Sequence, residues 1–199
     1  MKKIAIFASG AGSNARKIHE HFKQNAKVSV NIIVSNKSDA PVLEFAKNQK
    51  IDTQVIDRQS FYHSEKILYE LQKREIDLIV LAGFLWLVPE YLVRGFENRI
   101  INIHPALLPK FGGKGMYGAN VHRAVKAAGE TETGITIHFV NEKFDDGAII
   151  FRASCPVDET DTPESIAQKV HSLEHRYFPE VIEKLLLDDS RTKIPIHIF

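Results

Sequence analysis

The sequence predicts the α/β class, with a mostly parallel twisted sheet flanked by helices, and three observations carry that expectation. Up to residue 81, short apolar runs rich in β-branched residues alternate with stretches of helical periodicity, the pattern of a parallel sheet covered on its faces. A glycine-rich turn directly follows the first apolar run, as at the first strand-to-helix junction of Rossmann-like sheets. Past residue 130 two β-rich runs flank a polar turn, a late antiparallel strand pair, and a long C-terminal helix follows.

Taken in order, residues 3–8 (KIAIFA) are a strand ended by Ser9-Gly10-Ala11-Gly12-Ser13. Ala15, Ile18 and Phe22 then recur at helical spacing across residues 14–25. Residues 28–34 are β-branched and strand-like, and Pro41 opens a helix to about residue 49, where its missing N–H has no partner to lose. A third strand at 53–56, one helix over 61–74 and a fourth strand at 78–81 complete the first half. In the second half a short helix over 89–95 and a buried strand at 100–103 lead into a Pro- and Gly-rich loop, 105–117. A helix at 121–128, strands at 135–140 and 148–153, and a helix from the Thr162-Pro163 cap to about residue 187 follow. No repeat or linker interrupts the 199 residues, which read as one domain.

Composition narrows the function. Hydrophobic residues make up 44% and charged residues 26%, enough apolar material for a real core. The 26 basic and 25 acidic residues leave a net charge of +1, so no bulk attraction to nucleic acid or an anionic membrane is expected. Cys155 is the only cysteine, which forbids an intrachain disulfide and fits a reducing compartment. The apolar run near the N-terminus is too short for a signal peptide, and no stretch is long enough to span a bilayer, so a cytoplasmic protein is expected.

Gly10-x-Gly12-x-x-Ala15 fits a dinucleotide fingerprint, but a nicotinamide site needs an acid about twenty residues on, at the end of the second strand. That strand ends in Val34-Ser35-Asn36. The turn instead suits a terminal phosphate, held by backbone N–H groups at a helix start with Ser13 and Asn14 as side-chain donors; tight strand-to-helix packing is the structural alternative. On the strand Ile100-Ile101-Asn102-Ile103-His104-Pro105, period two puts Asn102 and His104 on one face. An amide and an imidazole paired at the C-terminal end of a parallel strand point to a ligand site. Asp145-Asp146-Gly147 offers a carboxylate, although Asp-Gly is also ordinary hairpin-turn chemistry.

These residues carry a resemblance that covers nearly the whole chain. Ser9-Gly-x-Gly-Ser-Asn14, Leu81-Ala-Gly-Phe84, Asn102-Ile-His-Pro-Ala-Leu-Leu-Pro109, His138-Phe-Val140, Asp145-x-Gly147 and Glu174-His175 resemble the folate-dependent glycinamide ribonucleotide (phosphoribosylglycinamide) formyltransferases of purine synthesis. The resemblance implies transfer of a formyl group from 10-formyltetrahydrofolate, the co-substrate, to the ribonucleotide's amine, without metal or nicotinamide. It implies a catalytic trio of Asn102, His104 and Asp145, with Asp145 raising the proton affinity of His104. Gly12, Ser13 and Asn14 would hold the substrate phosphate, with Gly83, Pro105, His171 and Glu174 completing that site. Leu81, Leu85, Trp86, Leu87, Val88, Ile100, Asn102 and Val140 would line the folate pocket, partly through backbone groups. Residues 1 to about 100 would form the phosphate-binding half and about 100–199 the folate-binding and catalytic half of a monomer or weak homodimer.

Some positions depart from the family pattern. Trp86 stands where Arg is usual, His171 replaces Lys or Gln near the phosphate, and Arg58 is the nearest candidate for an Arg at the third helix. Residues 112–119 (GGKGMYGA) make a longer glycine-rich loop, read as a surface insertion in preference to a lid. His171-Ser-Leu-Glu174-His175 also fits an H-x-x-E-H zinc motif, but little chain remains to supply a third ligand. Rival readings are a formyltetrahydrofolate deformylase, a formyltransferase for another amine, and a non-catalytic nucleotide-binding module.

Overall fold

A computed structural model describes residues 1–188. The elements run β1 (Lys2–Phe7), α1 (Ser13–Phe22), β2 (Val28–Ser35), α2 (Pro41–Asn48), β3 (Asp52–Val55), α3 (Arg58–His63) and α4 (Lys66–Lys73). Then come β4 (Leu78–Leu81), α5 (Glu90–Gly95), β5 (Ile100–His104), α6 (Ala119–Ala127), β6 (Glu132–Phe139), β7 (Ile149–Pro156) and α7 (Pro163–Leu187). The strands form a seven-stranded sheet in the order β3-β2-β1-β4-β5-β6-β7. Strands β1 to β5 pair in parallel, β6 joins antiparallel to β5, and β7 antiparallel to β6.

The apolar runs of the strands divide between the two faces. Ile4, Ile6, Ile33, Val80, Ile101 and Ile103 pack with Ile18, Val121 and Phe178 of α1, α6 and α7. Ala5, Phe7, Ile32, Ile79 and Ile100 pack on the other face with Phe61, Leu71 and Leu92 of α3, α4 and α5. Alternate residues of a strand thus serve opposite cores, as period two requires. Among the described residues no helix is long and apolar enough to cross a membrane.

The single helix expected over 61–74 is two. Asp57 caps α3 by accepting the Ser60 N–H at 2.9 Å. Ser64 is extended at φ −146°, and its Oγ donates to the Ser60 carbonyl at 2.8 Å. A serine hydroxyl competing for backbone groups ends the turn, and α4 restarts after Glu65. At the C-terminal side Thr162 caps α7 reciprocally with Ser165, with Pro163 in the first turn, as the cap signal predicts.

Strand order reverses around β1, which lies between β2 and β4. The carboxyl ends of β1, β4 and β5 therefore open on one crevice, where such sheets bind ligands.

Candidate active site

The glycine turn leaves β1 at this crevice. Gly12 caps α1 in the left-handed region at φ 72°, and a Cβ there would lie 2.3 Å from the Val42 side chain. Glycine is required on both counts. The Ser9 N–H donates to the Gly83 carbonyl at 3.1 Å, and Ser9 Oγ accepts the Leu85 N–H at 3.0 Å. The ends of β1 and β4 are thereby fixed to each other. Ser13 is exposed and Asn14 is buried. Asn14 Nδ2 donates to Glu174 Oε2 at 2.9 Å, so this amide is turned toward α7 and is not a free donor lining the loop. The same carboxylate oxygen lies 2.9 Å from His171 Nδ1. That contact holds the His171 imidazole above its ordinary range, against a smaller opposing effect of burial.

At the end of β5, Asn102 pairs in register with His138 and His104 with Thr136 across β6. Asn102 Nδ2 is 3.1 Å from His138 Nε2 and 3.3 Å from Asp145 Oδ1. His138 Nδ1 lies 2.8 Å from the Phe139 carbonyl, which only accepts, so the proton of the neutral ring sits on Nδ1. Its Nε2 faces both the Asn102 amide and, at 3.6 Å, Asp145 Oδ1. His104 Nε2 lies 2.7 Å from the Phe111 carbonyl, which places a proton on Nε2. Its Nδ1 is 3.5 Å from Asp145 Oδ2, a separation for electrostatic interaction more than for a strong hydrogen bond.

Asp145 adopts φ 54° and receives the Gly113 N–H at 2.9 Å. Burial alone would raise its carboxyl, but His138, His104 and the Gly113 N–H outweigh it and hold it below the usual carboxylate range. For His104 the balance runs the other way. Burial is the largest influence and depresses the imidazole below its ordinary range, although Asp145 and the Phe111 carbonyl pull upward. Asp145 thus acts on His104 in the expected direction, and desolvation exceeds it.

Gly147 is needed for a reason other than hairpin-turn geometry. A Cβ there would fall 1.7 Å from the Phe139 carbonyl oxygen. The left-handed residue of the turn is Asp145 itself. The part of the loop before residue 112 is bound to the sheet, and the glycine-rich stretch that follows is anchored at Gly113. Thr136 Oγ1 accepts the Leu108 N–H at 3.0 Å and donates to the Ala106 carbonyl at 2.7 Å, and Arg152 donates to the Leu108 carbonyl. Phe111 and Gly113 then touch His104 and Asp145 directly, while residues 117–120 are exposed.

The residues expected to line a folate pocket separate into two groups. Leu81, Val88 and Ile100 are core residues at 5%, 3% and 1% exposure, so they back the crevice and do not line its surface. Trp86 and Val140 pack partly exposed against that core. Trp86 sits in an aromatic group with Phe61, Tyr62 and Phe84, and Arg58 lies 5.7 Å over the Tyr62 ring. Leu85 is exposed, but its N–H is taken by Ser9, and the Leu87 carbonyl accepts the Tyr62 hydroxyl at 3.0 Å. Those two backbone groups are engaged within the chain. Pro105 is half-buried directly after His104.

Sequence reasoning assigned no role to His138, Phe111 or Gly113. For His138 the signal was present: Thr136 and His138 alternate on a buried strand as Asn102 and His104 do. The backbone contacts of Phe111 and Gly113 leave no trace in residue type. His171, Glu174 and His175 share a helix face, yet among the described residues no group of three or more His, Cys, Asp or Glu is arranged to hold a metal ion.

Comparison with known proteins adds to this geometry. The pattern of the family described as Formyl transferase matches residues 2–182. The chain is 43% identical to the chloroplastic phosphoribosylglycinamide formyltransferase of Arabidopsis thaliana over 187 residues, which is 91% of this chain and 64% of the plant protein. It thus spans less than two thirds of that relative. It is 39% identical to the phosphoribosylglycinamide formyltransferase of Bacillus subtilis (strain 168), covering 94% of this chain and 95% of the other. The crystal structure of phosphoribosylglycinamide formyltransferase from Anaplasma phagocytophilum superposes with a TM-score of 0.85 at 33% identity, over 94% of this chain and 87% of that one.

Proposed function

Because the chain belongs to the formyl transferase family, we propose that it transfers the formyl group of 10-formyltetrahydrofolate to the amine of phosphoribosylglycinamide, giving the N-formyl product and tetrahydrofolate. The observation that carries this reading is the opening of two sites on one crevice: the glycine turn tied to Glu174, and the Asn102–His104–Asp145 group at the end of β5. Residues 1–199 would act as one unit whose first half holds the phosphate and whose second half holds the folate and the reacting atoms.

In this reading the phosphate lies on the backbone N–H groups at the start of α1 and on Ser13, with His171 as the nearby cation. Glu174, its position fixed by Asn14 and His171, accepts hydrogen bonds from the ribose hydroxyls. The acceptor amine attacks the formyl carbon and an oxyanion develops. Asn102 donates to that oxygen once the oxygen replaces His138 or Asp145 as the amide's partner, a contact often worth about 3–4 kcal/mol in a closed site. His104, as the imidazolium that the Asp145 carboxylate stabilises, gives its Nε2 proton to the departing folate nitrogen as the C–N bond to the folate breaks, and the proton shed by the attacking amine restores it. The folate's aromatic portion fits against the side of Trp86 and the exposed Leu85.

The test is a spectrophotometric assay with a 10-formyl folate donor, with and without the ribonucleotide. Folate release that depends on the ribonucleotide supports the transfer reaction. Release without it would make the protein a hydrolase of the donor, and no release in either case would remove the proposed activity.

A further inference from the structure

A second set of polar side chains gathers where α1, α6 and α7 meet. Glu174 holds Asn14 and His171 on one carboxylate oxygen. The rings of His122 and His171 face each other edge-on at 6.4 Å, and His171 stacks with His175 at 6.1 Å. His122 is 3% exposed, and its Nδ1 is buried with no hydrogen-bond partner. The Oδ1 of Asn14 is in the same condition. An unpaired buried polar atom is unfavourable to keep, and a native protein that keeps one has a use for it or fills it with a ligand or an ordered water.

The position of His122 indicates which ligand. It lies in the first half of α6, the helix between the loop that follows β5 and the start of β6. Its ring lies 6.4 Å from that of His171, which contacts Glu174 at 2.9 Å, and the charges of Glu174 and His104 also bear on it. These are the proposed phosphate and ribose contacts and the proposed proton donor, so His122 stands beside the middle of the acceptor. Burial, reinforced by His171, keeps its imidazole below the ordinary range, and a neutral ring offers one donor and one acceptor. That suits a hydroxyl or an amide. The phosphate dianion is better served by His171, whose imidazole Glu174 holds above its ordinary range.

We propose that His122 is a further acceptor-binding residue, its Nδ1 pairing with a neutral hydrogen-bonding group between the phosphate and the reacting amine. This rests on the acceptor named under Proposed function and adds a contact to it. The group is a ribose hydroxyl or the glycinamide amide, and two ligands separate the sources.

The experiment is calorimetric titration of phosphoribosylglycinamide, and separately of ribose 5-phosphate, into the wild type, His122→Gln and His122→Asn without folate. Asparagine keeps a polar atom near the place of Nδ1, whereas glutamine reaches toward the place of Nε2. His122→Gln is expected to weaken the ribonucleotide about tenfold, as loss of one buried hydrogen bond does, and His122→Asn to recover much of that loss. A matching loss with ribose 5-phosphate assigns the contact to a hydroxyl; loss confined to the full ribonucleotide assigns it to the amide. In the wild type, the ¹⁵N resonance of His122 Nδ1 should move on addition of the ribonucleotide and stay in place on addition of the folate donor. Wild-type affinity in His122→Gln, or an unmoved Nδ1 resonance at saturation, overturns the proposal. A wild type that fails to bind the ribonucleotide overturns the acceptor assignment as well, before any variant is considered.

Discussion

The Nε2 of His104 lies 2.7 Å from the carbonyl oxygen of Phe111, so the loop that follows β5 caps the nitrogen that the proposed reaction uses. The Nδ1 side faces Asp145, and the ring is 3% exposed. Delivering a proton from Nε2 requires Phe111 to release it. Phe111 itself sits at φ 56°, in the left-handed region that a bulky residue adopts only when its surroundings hold it there.

His104→Ala is therefore expected to lower kcat by about 10²- to 10⁴-fold, the range for loss of a general acid. Affinity for the acceptor should change little, because the acceptor contacts argued above lie on α1, α6 and α7. Steady-state kinetics paired with calorimetric binding of the ribonucleotide checks both halves. A variant with nearly wild-type kcat would remove His104 from the chemistry.

Asn14→Ala should raise the KM for the ribonucleotide roughly tenfold and leave the KM for the folate donor within about twofold. The substitution removes the amide that holds Glu174 at 2.9 Å and leaves that buried carboxylate with His171 alone. Equal effects on both substrates would mean that the Asn14–Glu174 contact supports the fold and not the acceptor site.

The limits of the sequence are visible in these same residues. Period two put Asn102 and His104 on one face of a buried strand, and the structure brings Asp145 to both. The parallel first half and the late antiparallel pair were legible because each strand is an apolar run bounded by turn residues. The break between α3 and α4 was not, since it depends on one serine hydroxyl bonding back to the chain. Nor was the capping of His104, because a backbone carbonyl has no signature in residue type. The net charge balance at His104 was not legible for a related reason: a carboxylate partner can be read from sequence, whereas the extent of desolvation cannot.

Gly147→Ala should destabilise the protein by more than about 2 kcal/mol, the scale of a backbone clash that the surroundings must relieve. Its Cβ would fall 1.7 Å from the Phe139 carbonyl, the same oxygen that fixes the His138 tautomer. Thermal unfolding should drop by several degrees for a chain of this length. Residual activity measured well below the melting transition should also fall, because displacing Phe139 loosens His138 and with it Asn102. Wild-type melting would show that the hairpin absorbs the methyl group.

Stability should decline as pH falls from 7 toward 5. His104, His122 and His175 are each depressed, chiefly by burial, so the unfolded chain binds more protons than the folded one below the unfolded imidazole range. Stability from such groups is complete above the unfolded value of 6.5 and is lost as pH drops toward their folded values. His171 acts in the opposite sense. Its raised value contributes stability that is complete at low pH and lost as pH rises through it, but its side chain is 51% exposed, which weakens the effect. Asp145 adds a further loss at more acidic pH, since its depressed carboxyl stabilises the fold above its unfolded value of 3.8 and ceases to do so once protonated. Urea denaturation at pH 7.5 and 5.5 measures the slope, and His122→Gln should make it shallower by removing one buried titrating ring. Equal stability at the two pH values would mean that these imidazoles titrate alike in the folded and unfolded chains.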